Sequence, residues 1–211
     1  MLRVPPEPEP VSDFRRGFRE ADPPDRPLEN VTVCLDPGHP PMGATGPSGI
    51  AEHAVNWLMA EKLRDRLIDL GASVVMTRTE NETLPLPDRV ARARAAQADL
   101  FVSVHANALP QDGNPFDKNG FSVYFFQPFG LPLAEAVHAA FREQVPIRDD
   151  GLHYGNLHVV RQSYMPSILV ECAYLIWPPE EELLLSPVFQ TRCAGAISAG
   201  IETFLKSRRR E

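Results

Sequence analysis

Two apolar segments of the sequence each lead to a histidine. Residues 31–36 run through a Pro-Gly pair to His39, and residues 100–104 run directly to His105. Short β-branched runs bounded by turn residues are typical of buried strands. Because ligands of open α/β sheets bind beyond the carboxyl ends of the strands, two histidines at such positions predict a metal site.

Two glutamates complete this candidate site. Glu52 stands at the start of a predicted helix over 52–70, and Glu171 ends another short apolar run. A catalytic zinc typically has three protein ligands and keeps its fourth position for water. His39, His105 and Glu52 would be those ligands, and Glu171 would be the general base that moves the proton of the water. Taken singly, Glu52 is an acidic residue favoured by the helix dipole, and Glu171 is an acid that closes a strand.

Several short motifs occur in a fixed order along the chain: Asp36–His39, Gly49–Glu52 with Asn56, Thr77–Arg78, Ser103–Ala108 and Met165–Glu171. In order and spacing they resemble the zinc-dependent N-acetylmuramoyl-L-alanine amidases of bacterial cell-wall turnover, the Amidase_3 type, over about residues 31–205. The resemblance implies one Zn²⁺ per chain held by His39, Glu52 and His105, with Glu171 as the base. The substrate would be peptidoglycan, cleaved at the amide between N-acetylmuramic acid and the L-alanine of the stem peptide.

The sequence departs from the family pattern on both sides of the candidate site. Pro40, Pro41 and Met42 follow the first histidine, where the family has a Gly-Gly pair and then an aspartate. Residues 172–177 replace the usual Gly-Phe and asparagine after the glutamate. Neither departure removes a ligand or the base, so both predict an altered fit of the substrate.

Substrate contacts are expected from the segments next to the site. Asn107 follows His105 in the same motif, and His158 lies on a predicted strand over 157–160. The polar loop 109–119 follows the His105 strand directly and is the expected substrate-contacting loop, because binding residues concentrate on loops held by a rigid scaffold.

The alternation of strands and helices predicts an α/β fold. Predicted strands cover residues 31–36, 72–77, 100–104, 121–126, 157–160 and 167–171, and predicted helices cover 52–70, 86–98, 133–144 and 187–205. Helical crossovers indicate a single three-layer domain with a largely parallel (mixed) twisted sheet of about six strands, flanked by helices on both faces. Residues 29–207 would form this domain. Residues 1–28 hold seven of the 22 prolines and predict a charged tail or linker, and 208–211 form a basic end.

Composition narrows the class of protein further. The net charge of -7 argues against nucleic acid as a partner. No apolar run approaches the roughly 18 residues of a transmembrane segment, and no secretory signal is visible. A peptidoglycan substrate would nevertheless place the protein in the periplasm or the cell wall. The three cysteines lie in apolar or helical surroundings and are expected to be small buried hydrophobic residues: Cys34, Cys172 and Cys193.

Two other functions remain open at this point. A non-catalytic module could hold peptidoglycan without cutting it, although such a module has no need of a base at Glu171. A glycosidase could use Glu52 and Glu171 as paired carboxyl groups, but it leaves both histidines unexplained. The segment 126–157 has room for one helix and a short loop, so the resemblance implies an uninhibited or differently regulated enzyme, and an activator protein stays possible.

Overall fold

A six-stranded mixed sheet lies at the centre of the fold. The computed structural model describes residues 26–109, 114 and 117–208. The strands are β1 Thr32–Pro37, β2 Ser73–Met76, β3 Leu100–Asn107, β4 Phe121–Phe125, β5 Asp149–Tyr154 and β6 Ser167–Tyr174, in the spatial order β2-β1-β3-β6-β4-β5. The first four in that order are parallel, whereas β4 is antiparallel to β6 and carries β5 parallel to itself.

Helices cover the two faces of the sheet unequally. They are α1 Glu52–Asp69, α2 Leu86–Ala95, α3 Leu131–Gln144, α4 Pro178–Leu185 and α5 Pro187–Arg208, with short 3₁₀ helices at Pro128–Gly130 and His158–Val160. Helices α1, α3 and α5 bury their apolar stripes in the larger core, against alternate residues of the strands such as Val33 and Val102. Helix α2 and the second 3₁₀ helix cover the other face, in a smaller core around Cys34, Phe101 and Leu169.

This architecture confirms the predicted fold class: one mixed sheet of six strands with helices on both faces. The three cysteines are buried and free, as expected. None of the helices in the described ranges is long and apolar enough to cross a membrane. The predicted boundary between a tail of residues 1–28 and a domain that begins at residue 29 stays a prediction. Leu28 is fully buried, and its N–H donates to the carbonyl of Leu70.

The predicted strand over 157–160 is wrong. Val159 and Val160 are both buried, but the N–H groups of Val160 and Arg161 return to the Leu157 carbonyl and close a 3₁₀ turn. An apolar run of four residues does not by itself distinguish a strand from a buried turn. The missing strand is β5, which escaped detection because its sequence, DDGLHY, is polar and starts with turn residues.

Two strands also end later than predicted, and one helix was not predicted. Strand β3 continues beyond Val104 to Asn107, and β6 continues to Tyr174, so His105 and Glu171 lie inside strands near their carboxyl ends. The unpredicted helix α4 begins at a Pro-Pro pair, which suits the first turn of a helix because proline has no N–H to leave unpaired there.

Candidate active site

The three predicted metal ligands lie together at the carboxyl edge of β1 and β3. His39 follows β1, Glu52 is the first residue of α1, and His105 lies on β3. Their candidate ligand atoms are within 4.8 Å of one another. Nε2 of His39 is 3.2 Å from Oε2 of Glu52, and Nδ1 of His105 is 3.1 Å from Oε1. Two imidazole nitrogens and a carboxylate at this spacing could hold a metal ion.

The backbone of the loop selects which nitrogen of His39 faces the cluster. His39 has a left-handed backbone with φ of 55°. Its Nδ1 atom lies 3.1 Å from the carbonyl of Pro41, and because a carbonyl only accepts, Nδ1 must carry the proton and donate it. Nε2, the nitrogen that faces Glu52, is then the one available to a metal ion.

Gly38 lets the ring of His105 approach the same loop. A Cβ atom at position 38 would lie 2.3 Å from Cε1 of the His105 ring. No side chain therefore fits at this position without moving the imidazole. The glycine in the Asp36–His39 motif is explained by this close approach rather than by a turn.

Glu52 is held from several directions. The N–H of Ala44 donates to Oε2 at 2.9 Å, and Nδ2 of Asn56 donates to Oε1 at 3.1 Å. Burial by itself would raise the pKa of Glu52, but the hydrogen bonds with His105 and His39 and their charges outweigh burial and lower the pKa. The carboxyl group is thus ionised at neutral pH, as a metal ligand requires.

Asp36 ties β1 to its neighbours beneath the His39 loop. It is buried and accepts hydrogen bonds from Thr77 at 2.6 Å, from Ser103 at 2.7 Å and from Nη1 of Arg89 at 2.8 Å. Because a buried carboxylate is costly unless it is paired, this cluster of partners holds Asp36 in one geometry. The aspartate before the Pro-Gly pair therefore supports the site without belonging to the ligand cluster.

Two buried arginines fix the carbonyl groups of the same loop. Arg89 donates to the carbonyls of Pro37 at 2.9 Å and Pro40 at 2.6 Å. Arg78 donates to the carbonyls of Pro37 at 2.8 Å and Gly38 at 3.2 Å. The interpretation of the sequence missed Arg89. Helix α2 carries several arginines at similar spacing, and no local signal separates the buried one from the exposed ones.

Glu171 faces the ligand cluster from the next strand. It pairs in register with His105 across β3 and β6, so both side chains lie on the same face of the sheet. Its Oε2 atom is buried without a hydrogen-bond partner in the described part of the chain. Burial raises the pKa of Glu171 to about 7, although the nearby His105 opposes the shift. A carboxyl group with this pKa can take up and release a proton near neutral pH.

The remaining predicted contacts lie at the edges of the site. Oδ1 of Asn107 accepts the N–H of Ala108 at 2.8 Å. His158 lines a cavity of about 310 Å³ that also touches His39 and His105. Of the expected substrate loop, residues 110–113, 115 and 116 lie outside the described residues.

The cavity beside the histidines is mainly apolar. It opens between the His39 loop, α2 and the second 3₁₀ helix, and its walls include Pro41, Met42, Leu86, Leu157 and Val159. Met42 is 88% exposed at its rim. The departure from the family pattern after His39 thus lies in the wall of a cavity next to the site.

A His-Glu-His cluster with an adjacent protonatable carboxyl group at the carboxyl edge of an α/β sheet is the arrangement of a hydrolase that activates water with a metal ion. Comparison with known proteins gives the family. Residues 33–203 match the family model Amidase_3, N-acetylmuramoyl-L-alanine amidase. The chain belongs to this family, which confirms the resemblance seen in the motifs, and it is a hydrolase of the peptidoglycan amidase class.

Individual relatives agree with the family assignment. The amidase LytC of Bacillus subtilis is 31% identical over 85% of this chain, and AmiC of Neisseria meningitidis is 33% identical over 83%. The chain spans 36% and 53% of the lengths of these two proteins. The structure of the amidase AmiC2 of Nostoc punctiforme is similar with a TM-score of 0.78 and 34% identity, covering 85% of this chain and 99% of that one.

Proposed function

We propose that this protein hydrolyses the amide bond between N-acetylmuramic acid and L-alanine in peptidoglycan, with one Zn²⁺ held by His39, Glu52 and His105. The observation that carries the proposal is the cluster of three candidate ligands within 4.8 Å of one another, faced by Glu171 from the adjacent strand. Asn107 and His158, at the edges of this cluster, are proposed to contact the substrate.

The side chains present suit a catalytic zinc. Two imidazoles and one carboxylate form a common set of three protein ligands, which leaves one position open. The lowered pKa of Glu52 and the Nδ1 proton of His39 keep both ligands in the form that binds a metal ion. When bound, Zn²⁺ supplies the Lewis acidity that polarises the scissile carbonyl group and lowers the pKa of water.

Glu171 is proposed to move the proton. Its carboxylate takes a proton from the attacking water, whose oxygen forms a bond to the carbonyl carbon. The same carboxyl group then returns the proton to the alanine nitrogen as the bond from carbon to nitrogen breaks. The raised pKa near 7 and the unpartnered Oε2 atom favour both steps, because the group can exist in either protonation state at neutral pH.

A glycosidase that uses Glu52 and Glu171 as paired carboxyl groups is disfavoured. Both oxygens of Glu52 are already engaged by the histidines, by Ala44 and by Asn56. Its lowered pKa also opposes service as a general acid, which needs a proton to give at working pH.

We infer that the protein acts outside the cytoplasmic membrane, in the periplasm or cell wall, because its proposed substrate lies there. An activator protein stays a prediction. The site residues do not depend on either assignment.

The test is a digest of purified murein by protein that has been chelated and then reloaded with zinc. Mass spectrometry should find stem peptides with new L-alanine amino termini, and Glu171→Gln should release none while retaining about one zinc per chain. New reducing ends instead of alanine termini would indicate a glycosidase. Binding of murein with stoichiometric zinc and no turnover would indicate a non-catalytic module.

A further inference from the structure

The face of the sheet that carries Glu171 continues past β6 onto β4 and β5. Glu171 pairs with Ser122 of β4, Leu169 pairs with Tyr124, and Tyr124 pairs with His153 of β5. Paired residues of neighbouring strands share a face. Helix α3 packs on the opposite face in the larger core. On the face of Glu171, Tyr124 packs against the edge of the smaller core, which includes Val159 and Val160 of the second 3₁₀ helix, and Tyr124 and His153 both stay partly exposed.

Tyr124 and His153 form what we call the aromatic wall. Their ring centroids are 5.1 Å apart with an interplanar angle of 34°, and both side chains are half-buried. Nε2 of His153 donates to the carbonyl of Asp150 at 2.9 Å, which holds that ring in place. Burial raises the pKa of Tyr124, and the nearby charges of Glu171 and Asp150 add to the shift. The wall thus lies beside the proposed base.

The chemistry of amide hydrolysis gives the substrate a direction. The carbonyl carbon under attack carries the carbonyl oxygen, the incoming water oxygen, the leaving nitrogen and the α-carbon of the lactyl group. Glu171 must reach both the water and the nitrogen, so these two substituents lie on its side. The α-carbon of the lactyl group is consequently directed away from Glu171, and the chain attached to the nitrogen extends past Glu171 over β4 and β5.

The apolar cavity beside His39 agrees with this direction. Away from the candidate ligands His39 and His105, its two charged side chains, Asp36 and Arg89, are paired with each other, and its other lining residues are apolar apart from His158. Burying an unpaired charge in such a cavity is costly, so the carboxylates of a stem peptide would be excluded from it. The methyl groups of a lactyl or N-acetyl substituent meet no such penalty.

We propose that the aromatic wall of Tyr124 and His153 binds the first residues of the stem peptide, on the amine side of the scissile bond, while the cavity beside His39 receives the lactyl side. This assignment rests on the proposed function. The alanine methyl group and the following peptide backbone would pack against the exposed part of the ring of Tyr124, and solvent access at this partly exposed surface keeps the carboxylates of the stem hydrated.

The test measures binding of each half of the substrate to full-length, zinc-loaded Glu171→Gln, by calorimetry or NMR titration. The two probes are a stem tripeptide that begins with L-alanine, and the methylamide of N-acetylmuramic acid, whose lactyl group carries no charge. In this background Tyr124→Ala should weaken tripeptide binding about fivefold to tenfold and leave binding of the sugar unchanged. Met42→Ala should weaken binding of the sugar and leave binding of the tripeptide unchanged. His153→Ala repeats the test of the wall if Tyr124→Ala does not fold.

The matched control is Tyr164→Ala. Tyr164 is also a partly exposed tyrosine, but its ring lies 3.9 Å from the guanidinium carbon of Arg94, on α2. The Tyr164→Ala substitution should change neither the affinity for the tripeptide nor the affinity for the sugar. Loss of sugar binding with intact peptide binding in the wall variants would reverse the proposed direction, and no change in either would remove the wall from the substrate site. A selective loss of peptide binding, combined with no cleavage of murein by the zinc-loaded protein that retains Glu171, would contradict the proposed function alone.

Discussion

At the residue scale, the candidate site depends on how each ligand is held as much as on which ligand it is. The carbonyl of Pro41 fixes the proton on His39, and the N–H of Ala44 and the amide of Asn56 orient Glu52. Partners of this kind set the tautomer, charge and direction of a metal ligand, and their loss commonly costs about 10- to 100-fold in metal affinity.

Gly38→Ala should weaken zinc binding on the order of tenfold or more, because the added Cβ atom would meet the His105 ring at 2.3 Å. Competition with a metal chelator measures the affinity. Gly195→Ala on α5 is the matched control, since its nearest atom would be 3.7 Å away. That variant should keep its zinc affinity and gain up to about 1 kcal/mol of stability. Equal zinc affinity in both variants would contradict the close approach.

Glu171 should make the stability of the metal-free protein depend on pH. Its pKa is raised from 4.5 to about 7 on folding, so its contribution is fully present below pH 4.5 and is lost as the pH rises through 7. The free energy of unfolding should therefore fall by up to about 3 kcal/mol between pH 4.5 and pH 8 relative to Glu171→Gln, at about 1.4 kcal/mol per pKa unit. Urea unfolding of both chelated proteins across this range measures the difference. Parallel pH profiles of the free energy of unfolding in the two proteins would contradict a raised pKa of Glu171 in the folded state.

At the element scale, strand register and helix placement bring distant residues into one cluster. The parallel pairing of β3 with β6 sets Glu171 beside His105, and the start of α1 brings Glu52 between the two histidines. Helix α2 contributes no ligand, but through Arg89 it holds Asp36 and the carbonyls of Pro37 and Pro40.

Arg89→Ala should destabilise the fold by about 3 kcal/mol or more, because it leaves the buried carboxylate of Asp36 and several loop carbonyls without their donor. It should also weaken zinc binding, since the loop that presents His39 loses its support. Arg94→Ala on the same helix is the control. It should cost less than about 1 kcal/mol, because Arg94 is exposed and packs on the exposed ring of Tyr164. Thermal unfolding with and without zinc separates the loss of stability from the loss of zinc binding. Equal losses in the Arg89→Ala and Arg94→Ala variants would contradict the role of Arg89.

At the scale of the whole molecule, helices cover the two faces of the sheet unequally. One face supplies most of the hydrophobic core, and the other carries the candidate site. The thick layer of α1, α3 and α5 buries the larger core, while the opposite face leaves Glu171, Tyr124 and His153 reachable. The candidate ligands come from three different elements, β3, α1 and the loop after β1. A metal ion bound by all three would link them in the folded state alone.

Zinc should therefore raise the melting temperature of the protein. A ligand present at about 1,000 times its Kd stabilises the folded state by about 4 kcal/mol, which corresponds to a rise of about 8 to 16 °C for a domain of this size. Calorimetric scans of the chelated protein before and after addition of zinc measure the shift. His39→Ala should abolish most of it, and an equal shift in that variant would place the metal elsewhere.

The sequence by itself determined the fold class, the family and the grouping of His39, Glu52, His105 and Glu171, because these depend on local patterns. Apolar runs, their periodicity and short motifs lie in nearby residues of the sequence. They can therefore be recognised without knowing which residues pack together in the fold. The same local reasoning misassigned 157–160 as a strand and overlooked β5, whose polar residues become a strand only by pairing with β4.

Only the tertiary structure decided which side chains support the site and what lies next to it. Arg89 is 53 residues from Asp36, and its role depends on the packing of α2 against β1 rather than on its own surroundings in sequence. The aromatic wall likewise exists because β4 and β5 lie beside β6, which puts Tyr124 and His153 on the face of Glu171. Such pairings are set by the free energy of the whole fold, and local propensity does not encode them.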